Sequence, residues 1–231
     1  MWLKNKKIQK LAGGNCLERT GLALWSWLQI CGLSSRKDPA IVKMLREIHK
    51  KHRSLMSAFE LFNVYGMARA QAGRPGAFAE VGVFRGASAK LICEVKGDKP
   101  LHLFDTFEGL PKETEHDCGV HYVGQFTCSL ESVQEYLRDY KNVHFHKGLF
   151  PDSAVGMEEM TYSFAHFDVD LYEGTLACLQ YFYPRMNSGG IMLSHDYDIL
   201  VGVTKAFQEF FADKPERIIE LPTTQCMVIK L

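Results

Sequence analysis

The sequence predicts an α/β fold: a doubly wound, mostly parallel sheet of seven strands that ends in an antiparallel pair and is preceded by helices. Three observations carry that expectation. Phe78 to Lys90 runs from apolar residues through a glycine-punctuated turn into helix formers, the pattern of a strand, a tight loop and a helix start. Short apolar stretches then alternate with amphipathic ones as far as Phe210. Finally, Ile218 to Leu221 and Cys226 to Ile229 lie close enough to form a hairpin. A length of 231 residues suits one growing core. The expected division is a helical arm and cap over 1–72 followed by the sheet domain over 73–231.

At the N-terminus Lys4, Lys6, Lys7 and Lys10 precede an apolar run from Gly21 to Leu33. It imitates a signal peptide, but Glu18 and Arg19 stand directly before it and no small-residue cleavage pattern follows. It is also shorter than the roughly 20 apolar residues a bilayer crossing needs. The favoured expectation is a helix packed on its own fold or on a second copy, over a membrane-surface anchor through Trp25 and Trp27. Pro39 to Ala72 reads as helical, with a stripe of Ile41, Met44, Leu45 and Ile48, a basic patch Lys50-Lys51-His52-Arg53 read as a solvated face, and a second run through Phe59, Phe62, Val64 and Met67. Such helices could fold over a ligand mouth.

Beyond the glycine loop, Leu101 to Phe104 is a strand ending at Asp105. Ligands of doubly wound sheets bind at the carboxyl ends of strands, where an acid can accept ribose hydroxyl protons. Thr106 to Cys128 lacks periodicity and is expected to be a long loop facing substrate. Ser129 is an N-cap for a helix carrying Leu130, Val133 and Leu137. Val143 to His146 is the third strand, followed by Gly148, Leu149 and Phe150, placed to hold an adenine ring. Ser163 to Phe167 is the fourth, Tyr172 to Met186 a helix stopped by Asn187 to Gly190, and Ile191 to Leu193 the fifth strand.

Charge excludes some partners. Twenty-seven basic side chains balance 27 acidic ones, so no overall positive field gathers nucleic acid. Seven cysteines without paired spacing read as reduced thiols of a cytosolic chain. Cys118 with His121 finds no second pair to complete a zinc site.

In the first loop Phe84 takes the place of the middle glycine of a dinucleotide fingerprint, which argues against a nicotinamide oxidoreductase. Glu80-x-Gly82-x-x-x-Gly86 instead resembles the first motif of class I S-adenosylmethionine-dependent methyltransferases, with Glu80 placed to neutralise a cationic ligand group. Asp168 and Asp170 end the fourth strand while His195 and Asp196 end the fifth, and strands about 5 Å apart let these groups converge. Carboxylate oxygens favour a hard divalent ion, Mg²⁺ first. A methyltransferase fold kept as a non-catalytic binding module is the alternative from another functional class.

Phe167-Asp-Val-Asp-Leu-Tyr-Glu173, Tyr183-Pro-Arg, Gly189-Gly190 and His195-Asp-Tyr, with Glu80-Val-Gly-Val-Phe-Arg-Gly-Ala-Ser88, resemble the macrocin O-methyltransferase family. The resemblance covers about Leu55 to the C-terminus. It implies a Rossmann-like class I methyltransferase acting on hydroxyls of sugars in natural products, with S-adenosylmethionine held by Glu80, Gly82, Gly86, Ser88, Asp105 and Gly148. It also implies a divalent ion held by Asp168 and Asp196, with Asp170 as base beside Asp168; convergence of the two strand ends adds His195 as a third ligand or close partner. Where the family pattern has an acidic pair, the first residue here is His195. Imidazole suits Mn²⁺ or Fe²⁺ better than Mg²⁺.

Overall fold

The computed structural model describes residues 16–231, with side chains from Thr20 onward. Three helices come first, α1 (Cys16–Ser34), α2 (Pro39–Lys50) and α3 (Ala58–Gln71). Local chemistry starts two of them. Asp38 accepts the Ala40 N–H at 2.8 Å ahead of Pro39, whose missing donor costs nothing at a helix start. Ser57 and Glu60 form a reciprocal capping box at the head of α3.

The sheet follows as β1 (Ala77–Val81), α4 (Ala87–Cys93), β2 (Leu101–Asp105), α5 (Leu130–Leu137), β3 (Val143–Lys147), β4 (Tyr162–Phe167), α6 (Tyr172–Phe182), β5 (Met186–Ser194), α7 (Val201–Phe210), β6 (Ile219–Glu220) and β7 (Cys226–Ile229). Strand order is β3-β2-β1-β4-β5-β7-β6, parallel through β5 and antiparallel at β7 and β6. This is the predicted seven-stranded sheet. Leu45, Leu61, Ala89, Leu91 and Val133 of α2 to α5 cover one face, and Cys178, Leu179, Phe182, Val203 and Phe207 of α6 and α7 cover the other. With both faces buried, β1 is buried at every position.

The segment after α6 departs from expectation. The helix stops at Phe182, a turn through Pro184 follows, and Asn187 to Gly190 belong to β5. Proline removes the N–H a continuing helix would need. A register shift between Tyr162 and Phe164 absorbs the extra β5 residues, while Gly189 N–H donates to Lys230 O and Lys230 N–H to Gly190 O. The glycines form a bulged stretch of strand rather than a loop.

Helix α1 departs too. It packs through Ser26, Gln29, Ile30 and Leu33, while the two tryptophans on which the packing expectation rested stand outward, Trp25 57% and Trp27 59% exposed. The described cysteines are free thiols, as predicted.

Next to the site, β2 and β3 stack His102 on His144 and His146, and His102 Nδ1 lies 3.0 Å from His146 Nε2. Burial, reinforced by the neighbouring histidines, lowers His102 to about 4. The unfolded chain therefore takes up a proton below its ordinary value, about 6.5, that the folded chain refuses until about 4, and stability is lost as pH falls through that window. Between about pH 7.5 and 5, the wild type should lose roughly 2 kcal/mol more stability to urea unfolding than His102→Phe loses. Equal losses in both would place the titration elsewhere.

Candidate active site

The carboxyl ends of β1 to β5 open into one cavity of about 1400 Å³. Single small ligands fill about 300–1,000 Å³, so this one has room for a cofactor and an acceptor together.

At one end lies the first loop. Gly82, Phe84 and Ser88 line the cavity. Asp105 fastens the loop: its Oδ2 accepts N–H from Val83 (2.7 Å) and Phe84 (2.9 Å), and its Oδ1 accepts from Phe107 (2.7 Å). Those bonds hold Phe84 in a left-handed backbone conformation, φ 48°, that a bulky residue rarely adopts. Two carboxylate oxygens offer about four acceptor positions, so Asp105 keeps one beyond these three bonds. Gly148, Leu149 and Phe150 line the cavity beyond Asp105, where the sequence placed them, and Gly148 N–H donates to Asp105 O.

Two residues of the first motif are not in the cavity. Glu80 is fully buried, with Oε1 2.8 Å from His166 Nδ1 in the register partner strand and Oε2 without a hydrogen-bond partner among the described residues. Side chains alternate along a strand, and Glu80 shares the face of Phe78, which α3 and α4 cover. Direct neutralisation of a ligand cation by Glu80 is therefore corrected. Gly86, also expected at the cofactor, starts α4 at φ 76°, and a Cβ there would lie 3.0 Å from Val133 of α5. Helix packing explains that glycine.

In the middle of the cavity the acidic cluster converges. Asp168 N–H donates to Val81 O and His195 N–H to Phe167 O, which sets the two strand ends side by side. His195 Nδ1 lies 3.0 Å from Asp168 Oδ1 and 3.1 Å from Asp196 Oδ2. One ligand atom from each of the three residues falls within 4.8 Å of the others, a donor set of two oxygens and one nitrogen that fits a divalent ion. Among the described residues Cys118 and His121 join no such group. Asp170 arrives by a route the sequence did not predict. Rather than alternating in an extended chain, it adopts φ 60°, as Asp196 adopts 59°.

Charge follows geometry. Burial, then the Asp196 and Asp168 charges, push Asp170 well above the ordinary carboxyl range. Burial opposes the charged form of His195, yet Asp196 and Asp168 outweigh it and raise the imidazole well above its usual value. Against its own burial, Asp168 is lowered by that same histidine.

Glu60 was missed. Its sequence signal, Ser57-x-x-Glu60, marks a helix start, but the same carboxylate reaches 3.6 Å from His195 Nε2, an ion-pair separation, and accepts from the Thr224 N–H and Oγ1. Opposed by burial, those partners hold Glu60 below the carboxylate range. Arg53, read as part of a solvated patch, is half-buried instead, stacked 3.8 Å over Tyr136, donating to Arg85 O and lining the cavity.

A family model described as Macrocin-O-methyltransferase (TylF) matches residues 63–225. The chain belongs to that family. The macrocin O-methyltransferase match runs from within α3 to the residue before β7, so it includes the first loop and the acidic cluster while Glu60 lies just outside it. Among curated proteins, the chain is 29% identical over 143 residues to 8-demethyl-8-(2,3-dimethoxy-alpha-L-rhamnosyl)-tetracenomycin-C 4'-O-methyltransferase of Streptomyces olivaceus, covering 55% of each. It is 27% identical over 158 residues to demethyldecarbamoylnovobiocin O-methyltransferase of Streptomyces niveus, covering 60% of this chain and 59% of the relative. The chain thus spans little more than half the length of the curated relatives it matches. The solved structure of the O-methyltransferase NovP shares the fold with TM-score 0.67 at 23% identity, covering 77% of this chain and 82% of NovP. For this member of the macrocin O-methyltransferase family, the cavity is further lined by the 106–128 loop (Leu110, Pro111, Asp117, Phe126), by α1 (Leu22, Trp25) and by Phe59 of α3, with Phe126 packed edge-on against Phe84 of the first loop. The loop is anchored there, since Asp117 Oδ1 accepts the Tyr172 N–H that opens α6.

Proposed function

We propose that the chain is an S-adenosylmethionine-dependent O-methyltransferase whose acceptor is a hydroxyl of a sugar or another small natural product, assisted by a divalent ion. One observation carries the reading: Asp168, Asp170, His195 and Asp196 converge in the same cavity that the Gly82–Ser88 loop, Asp105 and Gly148 line. Membership of the family, and relatives named as O-methyltransferases of glycosylated natural products, support it. Residues 73–231 then form the catalytic domain and 1–72 an arm and cap, which the α1 and α3 residues in the cavity wall support.

S-adenosylmethionine, when bound, supplies a methyl group on a sulfonium that is its own leaving group. The chain must hold an acceptor oxygen in line behind that methyl and remove the oxygen's proton. Asp105 holds the ribose hydroxyls, and Gly82, Ser88 and Gly148 border the rest of the cofactor; Glu80 acts at one remove, buried beneath the first loop against His166. Asp170 accepts the proton, standing beside Asp168 and Asp196 with a proton affinity that burial and those two charges raise. Asp168, His195 and Asp196 would hold the ion, Mg²⁺ or, given the imidazole, Mn²⁺ or Fe²⁺, which lowers the pKa of a bound hydroxyl. Glu60 faces the second ring nitrogen of His195 and fixes its orientation.

Turnover of labelled S-adenosylmethionine on a panel of hydroxylated small molecules should cease in EDTA and return with Mg²⁺ or Mn²⁺, while calorimetry finds cofactor affinity unchanged. Full turnover in EDTA would remove the ion from the mechanism. Cofactor binding with no turnover on any acceptor, metal present, would favour a binding module.

A further inference from the structure

Helix α1 is turned inside out. Its polar side chains Ser26 and Gln29 are buried against the fold, whereas Leu24 (63%), Trp25 (57%), Trp27 (59%) and Leu28 (50%) are exposed. From Thr20 to Ser35 the chain carries no charge at all. An exposed cluster of two tryptophans and two leucines on one helix face is apolar surface that calls for a cover. Trp25 and Leu22 also line the cavity, so the face runs on from the cavity wall.

The charge distribution indicates which cover. Residues 1–37 hold seven basic residues, Lys4, Lys6, Lys7, Lys10, Arg19, Arg36 and Lys37, against the single acid Glu18. Because 27 basic residues balance 27 acidic ones overall, the remainder of the chain carries the opposite excess. Pairing this face with the same face of a second copy would bring two such basic segments together, which like charge opposes. An anionic bilayer has both properties the segment matches: negative headgroups for the lysines and an interfacial zone where tryptophan rings settle. Spanning is not involved, since no helix among the described residues is long and apolar enough to cross.

We propose that α1 and the basic segment around it dock the protein onto the surface of an anionic lipid bilayer, with Leu24, Trp27 and Leu28 entering the headgroup boundary and the cavity wall at Trp25 beside it. The docked face would thereby place the cavity near amphiphilic molecules held in that surface.

Flotation of the full chain with phosphatidylcholine vesicles, with and without phosphatidylglycerol, tests this. The protein should float with the anionic vesicles, leave them in high salt, and show blue-shifted tryptophan emission when bound. Replacing Lys4, Lys6, Lys7 and Lys10 by Glu should lower the partition coefficient on the order of a hundredfold or more, at roughly a fivefold change per basic residue less screening. Trp27→Glu with Leu28→Glu should abolish flotation with an unchanged melting temperature, because both side chains are exposed. Equal flotation with uncharged vesicles, or none with either, would overturn the proposal. So would a concentration-dependent dimer that the Trp27→Glu, Leu28→Glu variant dissolves, since the face would then be a self-interface.

Discussion

Gly82→Ala is expected to destabilise the fold by about 3 kcal/mol or more and to weaken cofactor binding with it. Gly82 leaves β1 at φ 85°, and a Cβ there would lie 1.8 Å from the carbonyl oxygen of Asp168 and 2.7 Å from its carbonyl carbon. Neither contact is with the end of a flexible side chain. Gly82 N–H donates to Phe104 O and Asp168 N–H to Val81 O, both at 2.9 Å, so the backbone is held from two strands and cannot step aside cheaply. Left-handed backbone costs a non-glycine residue about 1–2 kcal/mol, and overpacking typically adds about 1–3. Gly97→Ala is the control. It shares the left-handed conformation (φ 60°) but has nothing within 4 Å, so it should cost only the conformational part. Urea denaturation of both variants decides the matter; equal losses would mean that the β1–β4 contact yields and that the close approach of loop and Asp168 is not required.

Asp170→Asn should reduce kcat by about a hundredfold to ten-thousandfold while leaving calorimetric cofactor affinity and the melting temperature close to wild type. The substitution keeps the shape of the side chain, and asparagine tolerates the left-handed backbone that position 170 adopts at φ 60°. What it removes is the proposed proton acceptor. It also relieves the crowding of Asp170 against Asp196 and Asp168, the neighbours that join burial in raising its proton affinity, so a modest gain in stability would fit the same account. A variant retaining full turnover would assign the base to another group of the cluster, with His195, 3.0 Å from Asp168, the first to examine.

Much of this molecule was legible in local pattern. The strand-loop-helix at Phe78 to Lys90, the N-cap at Ser129, the strand ends at Asp105, Asp168 and His195, and the closing antiparallel pair all follow from hydrophobic period and turn chemistry acting over a few residues. Because strand ends deliver their side chains to one edge of a parallel sheet, the sequence also determined that Asp168, Asp170, His195 and Asp196 would meet.

Only the tertiary structure decided what faces what. Alternation along β1 separates Glu80 from Val81, but both faces of a parallel sheet are buried, so no local signal says that Glu80 lies beneath α3 and α4 against His166 rather than in the cavity. Glu60 meets His195 and Thr224 more than a hundred residues along the chain, a closure that helix-cap chemistry cannot announce. Arg53 is withdrawn from solvent by Tyr136 of α5, and Asn187 to Gly190 become strand because Lys230 pairs with their backbone. Helix α1 is the clearest instance: its composition is apolar nearly all round, and only its tertiary partners decide which side meets the fold, Gln29 Oε1 accepting the Phe59 N–H and Ile30 and Leu33 joining the core while the tryptophans are turned out.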